Sequence, residues 1–457
     1  LDDGDTITGT TGTDTVDLVA GTGAVNLVNI DTVQLTGSSS SSASAENWDV
    51  TTLDITNRTA SATVANLAAG QAIKSDDIDS GATLTLNVAT GVTALAVELD
   101  TATASDGTLA TNATDLTINH SGVDSSGDFV DDALILSSDV TSVTLTGGGE
   151  TASAGTHSKF TLSNGSGATI ASITSSYDGD LDVDAGSMFN ASTGATVTTG
   201  ANTVAATTFA AVADLTSGLV HFNDTAGTDT LSLTSTGADL GVINVDGYET
   251  FKIADLDMGA AMAVNFRDSA GISTISITGP SATDLVENIT LSNVASGTTL
   301  AVAGAYGDGS ADTLAVTAST GSSDTIVITT AAANLSSANA AAAITASGFE
   351  TVTVAGGLDD DIDFATYDAL LTLTGTKTIT LGGDTVAATD SSVVKIGTMA
   401  ATSTETLAVI AEGGNTSIAD LGTMNSLETF TIAAAASMTA TVTAGTSTSV
   451  DAITITG

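Results

Sequence analysis

The sequence predicts an all-β fold, an elongated β-solenoid of the parallel β-helix or β-roll kind, and three observations predict it. First, one phrase recurs. Gly348-Phe349-Glu350-Thr351-Val352-Thr353-Val354 has relatives in Ile30-Asp31-Thr32-Val33-Gln34-Leu35, Tyr248-Glu249-Thr250-Phe251-Lys252-Ile253 and Leu427-Glu428-Thr429-Phe430-Thr431-Ile432. In each, the last two apolar residues lie two apart and share a strand face. The first lies three residues earlier, out of register, so the chain bends just before the strand. Second, each phrase follows an opening one: Asp14-Thr15-Val16, Asp229-Thr230-Leu231, Asp324-Thr325-Ile326 and Glu405-Thr406-Leu407. The steps from opening to closing threonine, 15 to 32, 230 to 250, 325 to 351 and 406 to 429, fall within or just below the period range of stacked-repeat folds. So short a unit cannot bury its apolar side alone and must stack on its neighbours. Third, Thr, Val and Ile alternate, 47 glycines punctuate the chain, and Pro280 is its single proline. Hydrophobic residues make up 42% but aromatic ones only 3%, which implies a thin core of small side chains.

Taken in order, residues 1–45 form a strand unit and a linker. Asp5-Thr6-Ile7 returns as Asp14-Thr15-Val16, nine positions on. Nine is the period of calcium-binding β-roll turns of the RTX type, G-G-x-G-x-D-x-apolar-x, and Gly9, Gly12, Asp14 and Val16 match that pattern, with Thr10 in place of the second glycine. Echoes occur at Gly227, Asp229 and Leu231, and at Gly307, Asp312 and Leu314, where Asp308 and Ser310 replace glycines. The Ser-rich run from Gly37 to Ala45 reads as a loop or linker. Residues 46–149 form a β-rich module, with alternation through Leu53-Asp54-Ile55, Leu84 to Val88, Leu116 to Ile118, Leu134 to Leu136 and Val143 to Leu145 but without the Glu-Thr signature. A β-sandwich-like insert and continued coils are both compatible with it. Gly147-Gly148-Gly149 marks the next boundary. Residues 150–220 form an Asp-rich β module, and residues 221–457 the repeat solenoid. Within the last, the Ala-rich stretch Ala331 to Ile344 suits a short helical corner.

Charge narrows the function. Seven Lys and Arg face 53 acids, for a net charge of −46. Carboxylates stacked about 5 Å apart repel by roughly 1 kcal/mol in water and about 3 at an intermediate dielectric. Repeated along a stack, that cost rivals the stability of a domain. Divalent cations are the natural remedy, because aspartates on tight glycine-containing turns offer the hard oxygen ligands that Ca²⁺ prefers. Acidity that only keeps the chain soluble is the plainer alternative, compatible with the first. The candidate metal ligands are Asp5 and Asp14, Asp229, Asp308 and Asp312 on the degenerate nine-residue turns, together with two dense runs. In Asp178-Gly179-Asp180-Leu181-Asp182-Val183-Asp184, four carboxylates at two-residue spacing line one strand face. This is not an EF-hand loop, since Phe189 holds the twelfth position. Asp359-Asp360-Asp361-Ile362-Asp363 gathers acids at a turn, where a solvated acidic loop is the alternative.

Other chemistry is poorly supported. Nucleic acid is excluded as a partner by the charge, and no apolar run is long enough to span a bilayer. Cysteine is absent, so neither disulfides nor thiolate metal sites exist. His120, His157 and His221 share no motif, and serines and aspartates are so frequent that a paper triad carries no information. Catalytic residues are therefore not expected. Arg267 beside Asp268 would suit a β-helical polysaccharide lyase but reads better as a surface salt pair. The chain begins without Met or a signal-like segment and ends on a strand pattern, Ile453 to Thr456, as a mature or partial piece of a longer protein would.

The Gly348 to Val354 phrase, the Asp-Thr-apolar openings and the degenerate RTX-type turns, in an Asp-rich, Lys-poor, Cys-free chain, resemble bacterial surface-layer (S-layer) proteins of the calcium-dependent, RTX-like proteobacterial type. The likeness covers residues 1–37 and 221–457. It implies a β-solenoid, structural Ca²⁺, self-assembly in two dimensions on the outer cell surface, and type I export. Intact tandem RTX repeats and an anchoring region for lipopolysaccharide are missing. The functional expectation is an exported, non-enzymatic structural protein forming a calcium-stabilised lattice with itself, with cell-surface polysaccharide as a further partner. An extracellular filament or adhesin is the alternative, and a β-helical lyase a weaker one.

Overall fold

The computed structural model describes residues 5–19, 25–36, 40–55, 60–76, 81–100, 106–121, 131–136, 139–148, 158–164, 169–184, 194–200, 206–210, 220–234, 241–254, 261–278, 288–303, 313–331, 343–356, 362–363, 370–382, 394–411, 416–420, 424–434, 440–442 and 452–456. These are strands and turns, with no helix among them. The chain divides into two units, residues 1–210 with 219–229 and residues 211–218 with 230–457.

In each unit successive strands alternate between two parallel sheets, so every strand pairs with the strand one turn later. This is the connectivity of a β-solenoid. In the first unit one sheet runs through Asn26–Thr36, Trp48–Asp54, Ala72–Asp76, Ala94–Asp100, Asp115–His120, Ser142–Gly147, Ser172–Ser175 and Ala195–Thr199. The other runs through Ser41–Ser44, Ala62–Leu67, Thr83–Val88, Asp106–Ala110, Asp131–Leu136, Lys159–Asn164 and Asp180–Asp184. The strands of 46–149 thus belong to continued coils, and no β-sandwich is inserted there. The second unit repeats the plan. One sheet stacks Thr230–Thr234, Thr250–Ala254, Thr274–Thr278, Thr298–Ala303, Thr325–Ala331, Thr351–Gly356, Thr378–Gly382, Thr406–Ala411, Thr429–Ala434 and Ala452–Thr456. Its opposite sheet stacks Met262–Asn265, Ile289–Val294, Thr313–Ala318, Ala343–Ser347, Leu370–Thr374, Val394–Ala400 and Thr416–Asp420.

The alternation in the sequence decides which side of each strand is buried. Leu84, Leu86 and Val88 point into the core while Thr83, Thr85 and Asn87 between them stay half-exposed, and Ile326 and Ile328 repeat the pattern. The two sheets meet across this core. In the second unit Phe251 and Phe266, from opposite sheets, pack edge to face with centroids 5.2 Å apart.

The recurring phrases stack on one another. Thr15 is the direct partner of Thr32, Thr230 of Thr250, Thr325 of Thr351 and Thr406 of Thr429. The expected bend precedes three of the closing strands, at Gly247 (φ 84°), at Gly348 (φ 78°) and at the turn before Leu427. It turns Tyr248, Phe349 and Leu427 into the core, where each is 1% exposed or less. These larger side chains fill corners that the small strand residues cannot. The first phrase behaves differently: Asn26–Thr36 is one continuous strand, and a bulge between Leu27 and Ile30 absorbs the extra residue, with Asn29 at φ 54°. Asn66 (φ 62°) and Asn293 (φ 57°) occupy equivalent bulges. Asparagine is among the residues that tolerate this left-handed conformation best after glycine.

The helical corner expected from Ala331 to Ile344 is not seen at its ends: Ala331, Ala343 and Ile344 are strand, and residues 332–342 lie outside the described residues. Gly147 and Gly148 do not interrupt the stack. Gly147 ends a strand so close to the previous rung that a Cβ there would lie 2.0 Å from the His120 carbonyl, and Gly148 bridges to Asp178.

Candidate functional site

Stacking threonine on threonine forces the acids before them to stack as well. Where Thr15 meets Thr32, Asp14 sits beside Asp31. The Asp14 amide donates to Asp31 Oδ2 at 2.8 Å, and the Asp14 carbonyl accepts from the amides of Asp31 and Thr32, both at 3.1 Å. Where Thr325 meets Thr351 the same arrangement returns: the Asp324 amide donates to Glu350 Oε2 at 2.7 Å, and the Asp324 carbonyl accepts from the Thr351 amide at 3.1 Å. In both, the carboxylate of the opening aspartate folds back over a glycine, Gly9 for Asp14 and Gly321 for Asp324, where a Cβ would collide with it. The corners differ in one respect. Asp14 Oδ2 accepts from the Thr10 amide at 2.7 Å, whereas Asp324, 7% exposed, has no hydrogen-bond partner for its buried Oδ2. A buried carboxylate oxygen left this way is costly.

The Asp324 corner opens a column. Glu350 accepts at its carbonyl from the amides of Lys377 and Thr378 (2.8 and 2.9 Å), Lys377 from those of Glu405 and Thr406 (2.9 and 3.0 Å), and Glu405 from those of Glu428 and Thr429 (2.9 and 3.0 Å). Asp324, Glu350, Lys377, Glu405 and Glu428 therefore occupy successive turns at one corner, four acids with a single cation among them. That cation pairs with Glu405 on the next turn. Lysines elsewhere do the same: Lys74 lies 3.3 Å from Glu98, its direct strand partner, and Lys159 lies 2.6 Å from Asp182 on the adjacent strand. These three lysines serve as staples between turns, at half-exposed positions where each contributes modestly.

The sequence-predicted ligands divide as follows. Asp5 is exposed at the first strand, and Asp14 stands in the corner just described. Asp229 is buried at 4% exposure, one residue before the stacked Thr230. Asp178 bridges to Gly148 and is half-buried. Asp180, Asp182 and Asp184 lie on one strand with Leu181 and Val183 buried between them, as the two-residue spacing requires. Lys159 supplies part of the positive charge which that acid row needs. Asp363 lies in a short strand paired with Val394 and Lys395. Asp308, Asp312, Asp359, Asp360 and Asp361 lie outside the described residues. Among the described residues no three of His, Cys, Asp and Glu converge as a metal cluster. Asp31, Asp324 and Glu350 were missed, although the recurring phrases contain them. The acid one place before each stacked threonine carries the same register as the threonine itself.

His120 and the Arg267–Asp268 pair take structural roles, and His157 lies outside the described residues. His120 is fully buried, with Nδ1 3.1 Å from the Tyr177 hydroxyl, which donates to Ser158 Oγ at 2.8 Å, and with the Phe160 ring tilted by 59° at a centroid distance of 4.9 Å. Arg267 and Asp268 form an exposed pair with nitrogens and oxygens 3.0 to 3.1 Å apart. The arginine's hydrogen bond holds the Asp268 carboxyl below its ordinary range. A shallow neighbouring cleft is lined by Phe266, Ile272, Ile275, Asn293 and other residues without a titratable side chain. No described helix is long and apolar enough to cross a membrane. No family model, curated protein or solved structure matches the chain.

Proposed function

We propose that this chain is an exported structural protein which assembles with itself into a calcium-stabilised lattice at the cell surface, the role that its likeness to S-layer proteins implies. The observation that carries the reading is Asp324: a buried carboxylate with an unpartnered oxygen, on a residue whose backbone amide donates to the carboxylate of Glu350 one turn on. Two carboxylates and the neighbouring backbone carbonyls are the hard oxygen donors that Ca²⁺ takes, so Asp324 and Glu350 suit that ion. When bound, it supplies the positive charge that Lys377 provides one turn further on. Asp14 and Asp31 form a second such pair. With only two carboxylates per corner, further ligands come from carbonyls, water or a neighbouring copy, and the last of these links folding to assembly. In a calcium-poor cytoplasm the polyanion stays dispersed, and outside the cell it associates.

An adhesin that grips sugar would present aromatic side chains, yet every aromatic side chain described is buried, Trp48 and Tyr248 included. A lyase would place Arg267 in an acidic or basic cleft, and the cleft beside it is uncharged. Cell-surface polysaccharide is on this reading a further partner of the lattice rather than a substrate. Light scattering of the purified chain tests the reading. It should rise on adding millimolar calcium and fall on chelation, and identical scattering in both conditions would refute it.

A further inference from the structure

The acids of this chain are unevenly placed. In the first unit the outward positions of the strands carry many, among them Asp17, Asp49, Asp54, Glu98, Asp115 and Asp182. In the second unit one sheet has none. From Thr274–Thr278 to Ala452–Thr456, eight successive strands present only uncharged side chains outward. Thr325, Thr351, Thr378, Thr406 and Thr429 form one column, and Val327, Thr353, Thr380, Ala408 and Thr431 another. All of these are half-exposed or exposed. The first outward charge below the patch is Lys252, and along the start of the strands runs the column of Glu350, Lys377, Glu405 and Glu428.

We infer that this uncharged sheet face is where two copies of the chain pack against each other, sheet on sheet. Two molecules of net charge −46 repel wherever their acidic surfaces approach, so direct contact is least opposed on a face without acids. Methyl-bearing Thr, Ala408, Val327 and Ile410 lose little by leaving water, and their small size lets sheets approach to about 10 Å. The area is sufficient. Eight strands at about 4.8 Å, each roughly 16 Å long, offer on the order of 600 Å² per copy, near the lower limit of specific interfaces once both partners are counted. A face that packs on its own twin gives a closed twofold pair, and the charged rim leaves acids at its edge where calcium joins one pair to the next. The inference rests on the self-assembly reading and names its contact.

Because the chain lacks cysteine, a single Thr380→Cys substitution marks the face without background. With a short bis-maleimide, the full chain in calcium should yield crosslinked dimers at Thr380→Cys but not at Thr144→Cys, an outward position of the first unit. The double variant Thr353→Glu/Thr380→Glu should keep its strand circular dichroism and lose the paired form. If the unsubstituted chain scatters as an assembly while Thr380→Cys crosslinks no better than Thr144→Cys, the face is wrong and the assembly reading stands. If Thr380→Cys tracks binding to a polysaccharide surface with no crosslinked pair, the face belongs to another ligand and the inference is overturned. If no condition associates the chain, both fail.

Discussion

The amide of Asp324 donates to the carboxylate of Glu350 across one turn of the solenoid, at 2.7 Å, while the Asp324 carboxylate itself is buried with one oxygen unpartnered. One contact thus satisfies a backbone donor and also holds a second acid at the corner where Asp324 is buried. The two consequences separate by mutation.

Glu350→Ala removes the acceptor and leaves the Asp324 amide in need of one. The expected loss is about 1 to 3 kcal/mol in chemical denaturation in chelator, and larger in calcium, because a carboxylate ligand is lost as well. Asp324→Asn keeps the amide bond and removes the buried charge. In chelator its melting midpoint should rise above that of the unsubstituted chain, and in calcium the gain should shrink, because a carboxylate ligand is gone. A lower midpoint in chelator would show that the Asp324 charge is already compensated.

Phe349 is displaced from strand register by the bend at Gly348 and is fully buried. Phe349→Ala should cost about 3 to 5 kcal/mol, as expected for a large side chain deleted from a closed core. In a stacked array the damage is local, so hydrogen exchange should accelerate in the turns around residues 318–378 before it does in the first unit.

Asn293 combines a left-handed backbone (φ 57°) with a hydrogen bond from its side-chain amide to Asn265 Oδ1 at 2.8 Å. Asn293→Ala loses both and should cost about 2 kcal/mol, whereas Asn293→Gly restores the backbone freedom and should cost about 1. Equal losses in urea melts would mean that the backbone conformation is not the demanding feature.

Lys159 pairs with Asp182 at 2.6 Å in a row of acids. Lys159→Met should lower the midpoint modestly, by the equivalent of about 1 kcal/mol, since the lysine is partly exposed. Millimolar calcium should restore part of that loss if divalent cations and lysines serve the same purpose between turns. Magnesium, which sheds water reluctantly, should restore less.

The fold was legible because its determinants are periodic. Thr15 and Thr32, or Thr325 and Thr351, could be matched in sequence since one turn returns the chain to the same register, and Val352 and Val354 betray the buried side by their spacing. Irregular features were not legible. The bulge at Asn29 absorbs an extra residue that the sequence presents as a bend, because a local left-handed asparagine leaves no periodic trace. The equivalence of 46–149 to the other coils was hidden for a related reason: strands such as Leu116 to Ile118 lack the Glu-Thr phrase, and alternation alone fits a sandwich as well as a solenoid. At the corners, Asp14 was found through a glycine spacing, while Asp324 and Glu350 needed the register between turns, which appears only once the strands are paired. The uncharged face likewise depends on which residues of eight separate strands point the same way.

Divalent cations that relieve the acids at the corners would hold successive turns together, so calcium should stabilise the whole chain. The decisive measurement is the melting midpoint of the full chain in millimolar calcium and in chelator, beside the Asp324→Asn/Glu350→Gln variant. The unsubstituted chain should melt clearly higher in calcium, with a smaller difference for the variant, and a midpoint indifferent to calcium would refute the role of the ion.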